Sequence, residues 1–169
     1  VNKYNIEREL IEKFLDSMEM DLRDVQYDNS TFKEYIVGSA EVVGLMCLHV
    51  FCEGNEQQYY ELKVPAMRLG SAFQKINFLR DLKNDYHQLG RSYFPDIDLR
   101  RFDEETKKKI EEDISIDFRD GLEGIRRLPK EARFGVYIAY VYFYNLFLKI
   151  KRVSSSRIFI ERIRISNST

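Results

Sequence analysis

The chain has only two cysteines, no tryptophan and no excess of charge of either sign. Its 27 basic and 28 acidic residues nearly cancel, and no basic stripe is interleaved with aromatic side chains. Binding to nucleic acid is therefore not expected. The two cysteines, Cys47 and Cys52, lie too close along one predicted helix to bridge each other readily. We expect them to be small buried thiols of a protein in the reducing cytoplasm.

Long apolar runs, alternating strand patterns and internal repeats are also absent. The longest uncharged run, residues 134–148, is shorter than the roughly 20 apolar residues that a membrane span needs, and it contains several tyrosines. We predict that it forms a buried helix. A chain of 169 residues is of the right length for one domain, and we assign residues 1–169 to a single all-α domain.

Apolar residues recur at helical spacing along most of the chain. Pro65 is expected to open a helix, Asp103 to cap one and Pro129 to break one. A loop is predicted at 96–103. The predicted helices are 7–20, 31–52 (capped near 29–31), 56–63, 65–89, 104–128, 131–152 and a final piece from 157.

One segment carries a pattern that indicates chemistry. Gln74, Asn77, Asp81 and Asp85 are spaced by three, four and four residues, so they share one side of a helix. Carboxylate and amide oxygens one turn apart suit a hard cation such as Mg²⁺, which keeps several waters and is completed by substrate phosphates. The alternative is a solvated acidic face paired with nearby basic residues. Arg91, just beyond the helix end, favours the cation site because a guanidinium can bind a phosphate with two parallel hydrogen bonds.

These residues resemble a known family. The run from Leu69 through Arg80-Asp81 and Asp85 to Gly90-Arg91-Ser92-Tyr93-Phe94-Pro95 is similar to the second aspartate-rich region of squalene and phytoene synthases. An upstream block, Met20-Asp21-Leu22 followed by 35–46, resembles the family's Tyr-x-x-x-x-Ala-Gly-x-Val-Gly signature. The resemblance extends from about residue 10 to about residue 165. It implies an all-α isoprenoid-synthase bundle around a central cavity, incomplete in this chain.

The resemblance also implies roles for individual residues. Asp81 and Asp85 would bind Mg²⁺ (or Mn²⁺) that bridges to a prenyl diphosphate, and Asn77 would add a third oxygen ligand. Gln74 would face the cavity near the reacting carbons, and Tyr35 would place its hydroxyl beside a leaving diphosphate. Four further residues are expected to hold diphosphate oxygens: Arg80, Arg91, Tyr144 and Arg162. For Tyr144 and Arg162, a core tyrosine and a solvated arginine remain the alternative.

The activity implied is that of a transferase in isoprenoid and carotenoid biosynthesis. Phytoene synthases join two geranylgeranyl diphosphates head to head through a cyclopropyl intermediate, without a reductant. The short 90–95 segment resembles this bacterial phytoene type. The alternatives are a squalene or dehydrosqualene synthase that uses two farnesyl diphosphates, with NADPH in the squalene case, and a non-catalytic relative that serves as an interaction module. A terpene cyclase fits the 90–95 segment poorly. Substrate length and oligomeric state stay open.

Two features depart from the family pattern. Glu41 stands where the signature usually has Gly, and we expect its side chain either to point to solvent or to enter the polar mouth of the cavity. Family members also carry earlier helices with a first aspartate-rich motif, which has no counterpart in this chain. We therefore expect the chain to be a fragment from the C-terminal part of a longer enzyme, truncated at both ends and inactive alone. Because the product would dissolve in lipid, peripheral membrane contact is also expected.

Overall fold

The computed structural model describes residues 3–23, 27–89, 93–94 and 102–165, with the side chains of 84–89 left outside the description. Within these ranges the chain folds into seven α-helices and no strand, which confirms the all-α class. A π-helical segment, Val37–Glu41, joins α2 to α3. The helices are α1 (Arg8–Met20), α2 (Asn29–Ile36), α3 (Val42–Cys52), α4 (Glu56–Leu89), α5 (Glu104–Arg127), α6 (Lys130–Lys151) and α7 (Ser155–Ile160).

The starts of three helices are fixed by side-chain caps. The carboxylate of Asp28 accepts a hydrogen bond from the backbone N–H of Thr31 at 2.8 Å, one residue before the capping positions predicted from the sequence. Asp103 accepts from the N–H of Thr106 at 2.8 Å and caps α5 as predicted. Ser154 caps α7. Each cap satisfies an N–H that the first helical turn leaves without a partner.

The central helix α4 is longer than the sequence indicates. We predicted a break before Pro65, but α4 continues through it from Glu56 to Leu89. Proline disfavours a helix interior because it lacks an N–H and because its ring crowds the preceding turn. Here the ring is accommodated by the neighbouring helix: a Cβ placed on Gly124 of α5 would lie 2.4 Å from the Cβ of Pro65. The predicted loop at 96–103 lies outside the described residues apart from 102 and 103.

Helix α4 packs closely against the π segment, and a glycine makes this approach feasible. A Cβ on Gly70 would lie 2.5 Å from the carbonyl oxygen of Ala40. We expect Gly70→Ala to lower the free energy of unfolding by about 1–3 kcal/mol, because backbone atoms would have to separate. The matched control is Gly135→Ala on α6, where a Cβ would have no neighbour within 4 Å. That variant should gain up to about 1 kcal/mol from helix propensity. Equal urea-unfolding midpoints for the two variants would contradict the packing.

Helix α6 is not the buried helix that its composition predicted. Tyr140, Leu146, Phe147 and Ile150 are buried, but an outer stripe faces away from the core, with Phe134 73% exposed. Within the described residues, α6 packs mainly against α4 and α5, and these two helices leave the outer stripe uncovered. The other exposed apolar side chains of the stripe are Tyr137, Ile138, Val141, Tyr142 and Tyr144.

One helix in the described part of the chain is long and apolar enough to cross a membrane by length and composition. It is the continuous helical stretch Asn29–Cys52, and 44% of its most apolar window is buried inside the fold. A core helix passes the same test, so this helix does not place the chain in a membrane. Cytoplasmic location and peripheral membrane contact stay predictions.

Candidate active site

A cavity of about 660 Å³ lies among the π segment and helices α3, α4, α5 and α6. Its walls are mostly apolar. Small residues recur every three or four positions along the helices that surround the cavity, and they leave the space that it occupies. This spacing is visible in the sequence. The small residues that line it are Ser39, Ala40, Gly44, Cys47, Ala66, Gly70, Gly121, Gly124, Ala132, Gly135 and Ala139.

Two of the predicted site residues, Gln74 and Asn77, line this cavity. The Nδ2 of Asn77 donates a weak hydrogen bond to Oε1 of Gln74 at 3.5 Å. The Oδ1 of Asn77 is buried and accepts no hydrogen bond within the described residues. A buried acceptor without a donor is unfavourable, so this oxygen is a candidate position for a hydrogen-bond donor or a cation.

One turn further along α4, Asp81 meets two arginines. Its Oδ2 accepts hydrogen bonds from Arg80, at 3.1 Å from Nε and 2.5 Å from Nη2, and from Nη2 of Arg162 at 3.3 Å. Its Oδ1 lies 2.5 Å from Nε of Arg162, but this contact is an ion pair without a hydrogen bond. Arg162 therefore occupies this oxygen by ion pairing, so of these two side chains only Asn77 presents a buried oxygen without a partner among the described residues. The structure brings Arg162 to the motif across 81 positions of sequence.

The oxygens of Asn77 and Asp81 fit the donor set that Mg²⁺ prefers. They lie at i and i+4 on one helix. The Oδ1 of Asn77 has no partner among the described residues, whereas the Oδ1 of Asp81 is paired with Arg162. Arginine neighbours provide positive charge for an anion that such a cation would hold. Groups of three or more His, Cys, Asp or Glu side chains with metal-binding geometry do not occur in the described part of the chain.

The other predicted site residues are placed differently. The hydroxyl of Tyr35 donates to the carboxylate of Asp21 at 2.9 and 3.1 Å, and its ring lies 5.9 Å from that of Phe78. Burial and the charge of Asp21 raise the pKa of this hydroxyl above its ordinary value, so it stays protonated. Neither Tyr35 nor Phe78 lines the cavity. Asp21 was part of the upstream motif, but no role was predicted for it.

Tyr144 packs against α5 rather than at the polar end of the cavity. Its ring lies 5.4 Å from Phe118 and stacks on Tyr140 at 5.5 Å. The side chain of Asp85 and the whole of Arg91 lie outside the described residues.

Aromatic side chains do form part of the cavity wall. Phe73 and Phe143 stack at 4.1 Å between ring centroids, and Phe51 joins them among the lining residues. Of the two cysteines, Cys52 is buried, whereas Cys47 lines the cavity and is exposed, so the prediction that it is buried was wrong.

Beside the cavity wall, α4 and α5 are joined by a buried ionic cluster that the sequence did not indicate. Asp117 is 0% exposed and accepts hydrogen bonds from Arg68 at 3.1 Å, Ser71 at 3.0 Å and Lys75 at 2.7 Å. Lys75 also pairs with Asp113. These donors lie one helical turn apart on α4, so the cluster fixes the rotation of α4 that turns Gln74 and Asn77 toward the cavity.

Glu41 is half-buried near this cluster and takes neither of the two predicted positions. It does not line the cavity, and it is only partly open to solvent. Burial and the nearby charge of Asp117 raise the pKa of the Glu41 carboxyl, while Arg68, Lys75 and Lys33 oppose the shift. The side chain therefore leaves the cavity wall to the neighbouring Ala40 and Ser39.

Glu41 is expected to make stability fall as pH rises. Its pKa is higher in the folded state than its ordinary value of 4.5, so ionisation above that value favours the unfolded chain. We expect Glu41→Gln to melt at a higher temperature than the parent at pH 7, and at the same temperature near about pH 3, where both forms are neutral. Glu34→Gln, exposed on the same helical stretch, serves as the control. A difference in melting temperature between Glu41→Gln and the parent that is the same at about pH 3 and at pH 7 would show that the charge of Glu41 is not the cause.

Sequence comparison agrees with the motif resemblance. The family model described as Squalene/phytoene synthase matches residues 1–117. The chain belongs to the squalene/phytoene synthase family. It is also 32% identical over 89 residues to the "Bifunctional lycopene cyclase/phytoene synthase" of Neurospora crassa, an alignment that covers 48% of this chain and 15% of that protein. The chain thus matches only a small part of this relative's length.

The family match covers both of the sequence motifs described above. The matched residues, 1–117, contain Gln74, Asn77, Arg80 and Asp81 as well as the upstream signature. Arg162 lies beyond the match and reaches Asp81 through the fold alone.

Proposed function

We propose that the chain supplies the second aspartate-rich wall of a Mg²⁺-dependent prenyltransferase that joins two geranylgeranyl diphosphates head to head to form phytoene. The observation that carries the proposal is the buried Oδ1 of Asn77, which has no partner among the described residues and lies on the cavity wall one helical turn before the Asp81 carboxylate and its two arginines. Family membership supports the reaction class, and the name of the fungal relative favours the phytoene product.

The residues of this chain suit the charges of that reaction. Asn77 and Asp81 would hold the cation, which when bound neutralises diphosphate and eases its departure. Arg80 and Arg162 already lie on Asp81, and their remaining N–H groups are suited to diphosphate oxygens as negative charge develops there. Gln74, at the same end of the cavity, offers an amide to the head of the substrate.

The apolar part of the cavity would have a separate role, which is to keep water away from the reacting carbons. Ionisation of an allylic diphosphate leaves a carbocation that water would quench, so a wall of apolar side chains protects it. The faces of Phe73 and Phe143 lie along this wall and can stabilise the cation through the quadrupole of each ring.

The test supplies labelled C15 and C20 diphosphates separately, each with and without NADPH, to the longer protein that the family resemblance predicts. Phytoene from the C20 substrate without NADPH is the expected result. A C30 hydrocarbon from the C15 substrate would instead identify a squalene or dehydrosqualene synthase. Absence of any condensation, with the substrates intact, would favour a non-catalytic relative.

A further inference from the structure

The two ends of the cavity are set by the antiparallel register of α3 and α4. A Cβ on Gly70 would lie 2.5 Å from the carbonyl oxygen of Ala40, and one on Gly44 would lie 2.7 Å from that of Ala66. Each step of four residues toward the end of α3 therefore matches a step of four toward the start of α4. It follows that Leu48 lies at the level of Leu62, and that Phe51 lies about one turn beyond it, at the level of Tyr59, at the end opposite to Asn77.

The other two walls agree with this register. A Cβ on Gly121 of α5 would lie 3.1 Å from Leu69, and one on Gly124 would lie 2.4 Å from Pro65. Leu128, one turn further along α5, therefore reaches the level of Leu62. Ala132, in the first turn of α6, is four residues after Leu128 in the chain and also lines the cavity.

The cavity is long and has one bulky residue at its far end. Fifteen residues of α4 separate Leu62 from Asn77, which at 1.5 Å per residue is about 22 Å. Phe51 is the largest side chain that lines this end, beside Leu62, Leu128 and Ala132. Glu131 also borders this end, but it is exposed, so its carboxylate stays hydrated.

We propose that Phe51 sets the maximum length of the prenyl chain that the cavity accepts. The proposal rests on the proposed function, because it takes the diphosphate to lie at the Asn77 end and the tail to extend toward Phe51. Each added isoprene unit would bring the end of the tail closer to this ring. Cys47 lines the same wall one helical turn nearer to Asn77, where a larger side chain would shorten the cavity.

The test measures binding by calorimetry, using unreactive C15, C20 and C25 prenyl thiolodiphosphates with Mg²⁺ and with inorganic diphosphate as the head-group control. For Phe51→Ala we expect the ratio of C25 to C20 affinity to rise about tenfold or more, because the parent already admits C20. For Cys47→Phe we expect the ratio of C20 to C15 affinity to fall by a similar factor. Val50→Ala is the matched control, because Val50 is adjacent in sequence but is exposed and does not line the cavity. Affinity for inorganic diphosphate should be unchanged throughout.

The two variants change cavity length in opposite directions, so a general loss of folding cannot imitate the result. Phe51 also packs against the core, and Phe51→Leu provides a milder truncation, for which a smaller rise in the ratio is expected. Ratios that stay constant in Phe51→Ala and Cys47→Phe, with the parent still preferring one tail length, would overturn the role of Phe51 alone. If the parent binds none of the prenyl thiolodiphosphates more tightly than inorganic diphosphate, both this inference and the proposed function fail.

Discussion

Asp81→Asn is expected to lower kcat/KM for prenyl diphosphate condensation by roughly 10²- to 10³-fold or more, measured in the longer protein that the family resemblance predicts. The substitution keeps the volume of the side chain but removes the negative charge that pairs with Arg80 and Arg162 and that, in the proposed function, would hold the cation. The far-ultraviolet circular dichroism spectrum should be unchanged, because Asp81 is only partly buried and is not part of the apolar core.

The matched control is Asp120→Asn. Asp120 makes the same kind of contact with a neighbouring arginine, Arg119, but lies on α5 away from the cavity. Its turnover should match that of the parent. Turnover by Asp81→Asn within about twofold of the parent would remove Asp81 from the catalytic account.

The second large effect is expected on stability. Asp117→Ala should lower the free energy of unfolding by about 3–5 kcal/mol, because it leaves Lys75 buried with fewer partners and Arg68 without its carboxylate. For a chain of this length that loss corresponds to a fall in Tm of roughly 10 °C, measurable by circular dichroism. Asp120→Ala, at the more exposed position on the same helix, should change stability by less than about 0.5 kcal/mol.

A double variant separates charge from packing in this cluster. Lys75→Met combined with Asp117→Leu replaces the buried pair by apolar side chains of similar size, which often restores the stability lost when one partner alone is removed. We expect the double variant to melt well above Asp117→Ala. If Asp117→Ala melts with the parent, the cluster does not hold α4 against α5.

The helices could be predicted because their signals are local. Apolar spacing, the Asp103 cap and Pro129 act within a few residues, and they placed most helix boundaries within one or two positions. The predicted helix break before Pro65 was wrong because the space for its ring depends on Gly124, a residue 59 positions away on another helix. The prediction that α6 is buried was wrong because composition does not show how many faces of a helix are covered by other helices.

The site was partly predictable for a similar reason. Gln74, Asn77 and Asp81 share a helix, so their spacing alone brings them together. Arg162 came from the family resemblance, and its contact with Asp81 depends on the packing of α7 and the following residues against α4. The buried Asp117 cluster had no sequence signal, because charged residues at helical spacing usually indicate a solvated face. Nothing local distinguished Lys75 from the exposed lysines.

The most direct test of the central claim locates a divalent cation on the folded chain. In the presence of inorganic diphosphate, Mn²⁺ added to the isotope-labelled chain should broaden the NMR signals of the Asn77 side-chain amide and of residues around Asp81 first. Asp81→Asn should abolish this selective broadening, while Asp120→Asn should leave it intact. Broadening that centres on other acidic residues, or that is the same in the parent and in Asp81→Asn, would contradict a metal site at Asn77 and Asp81.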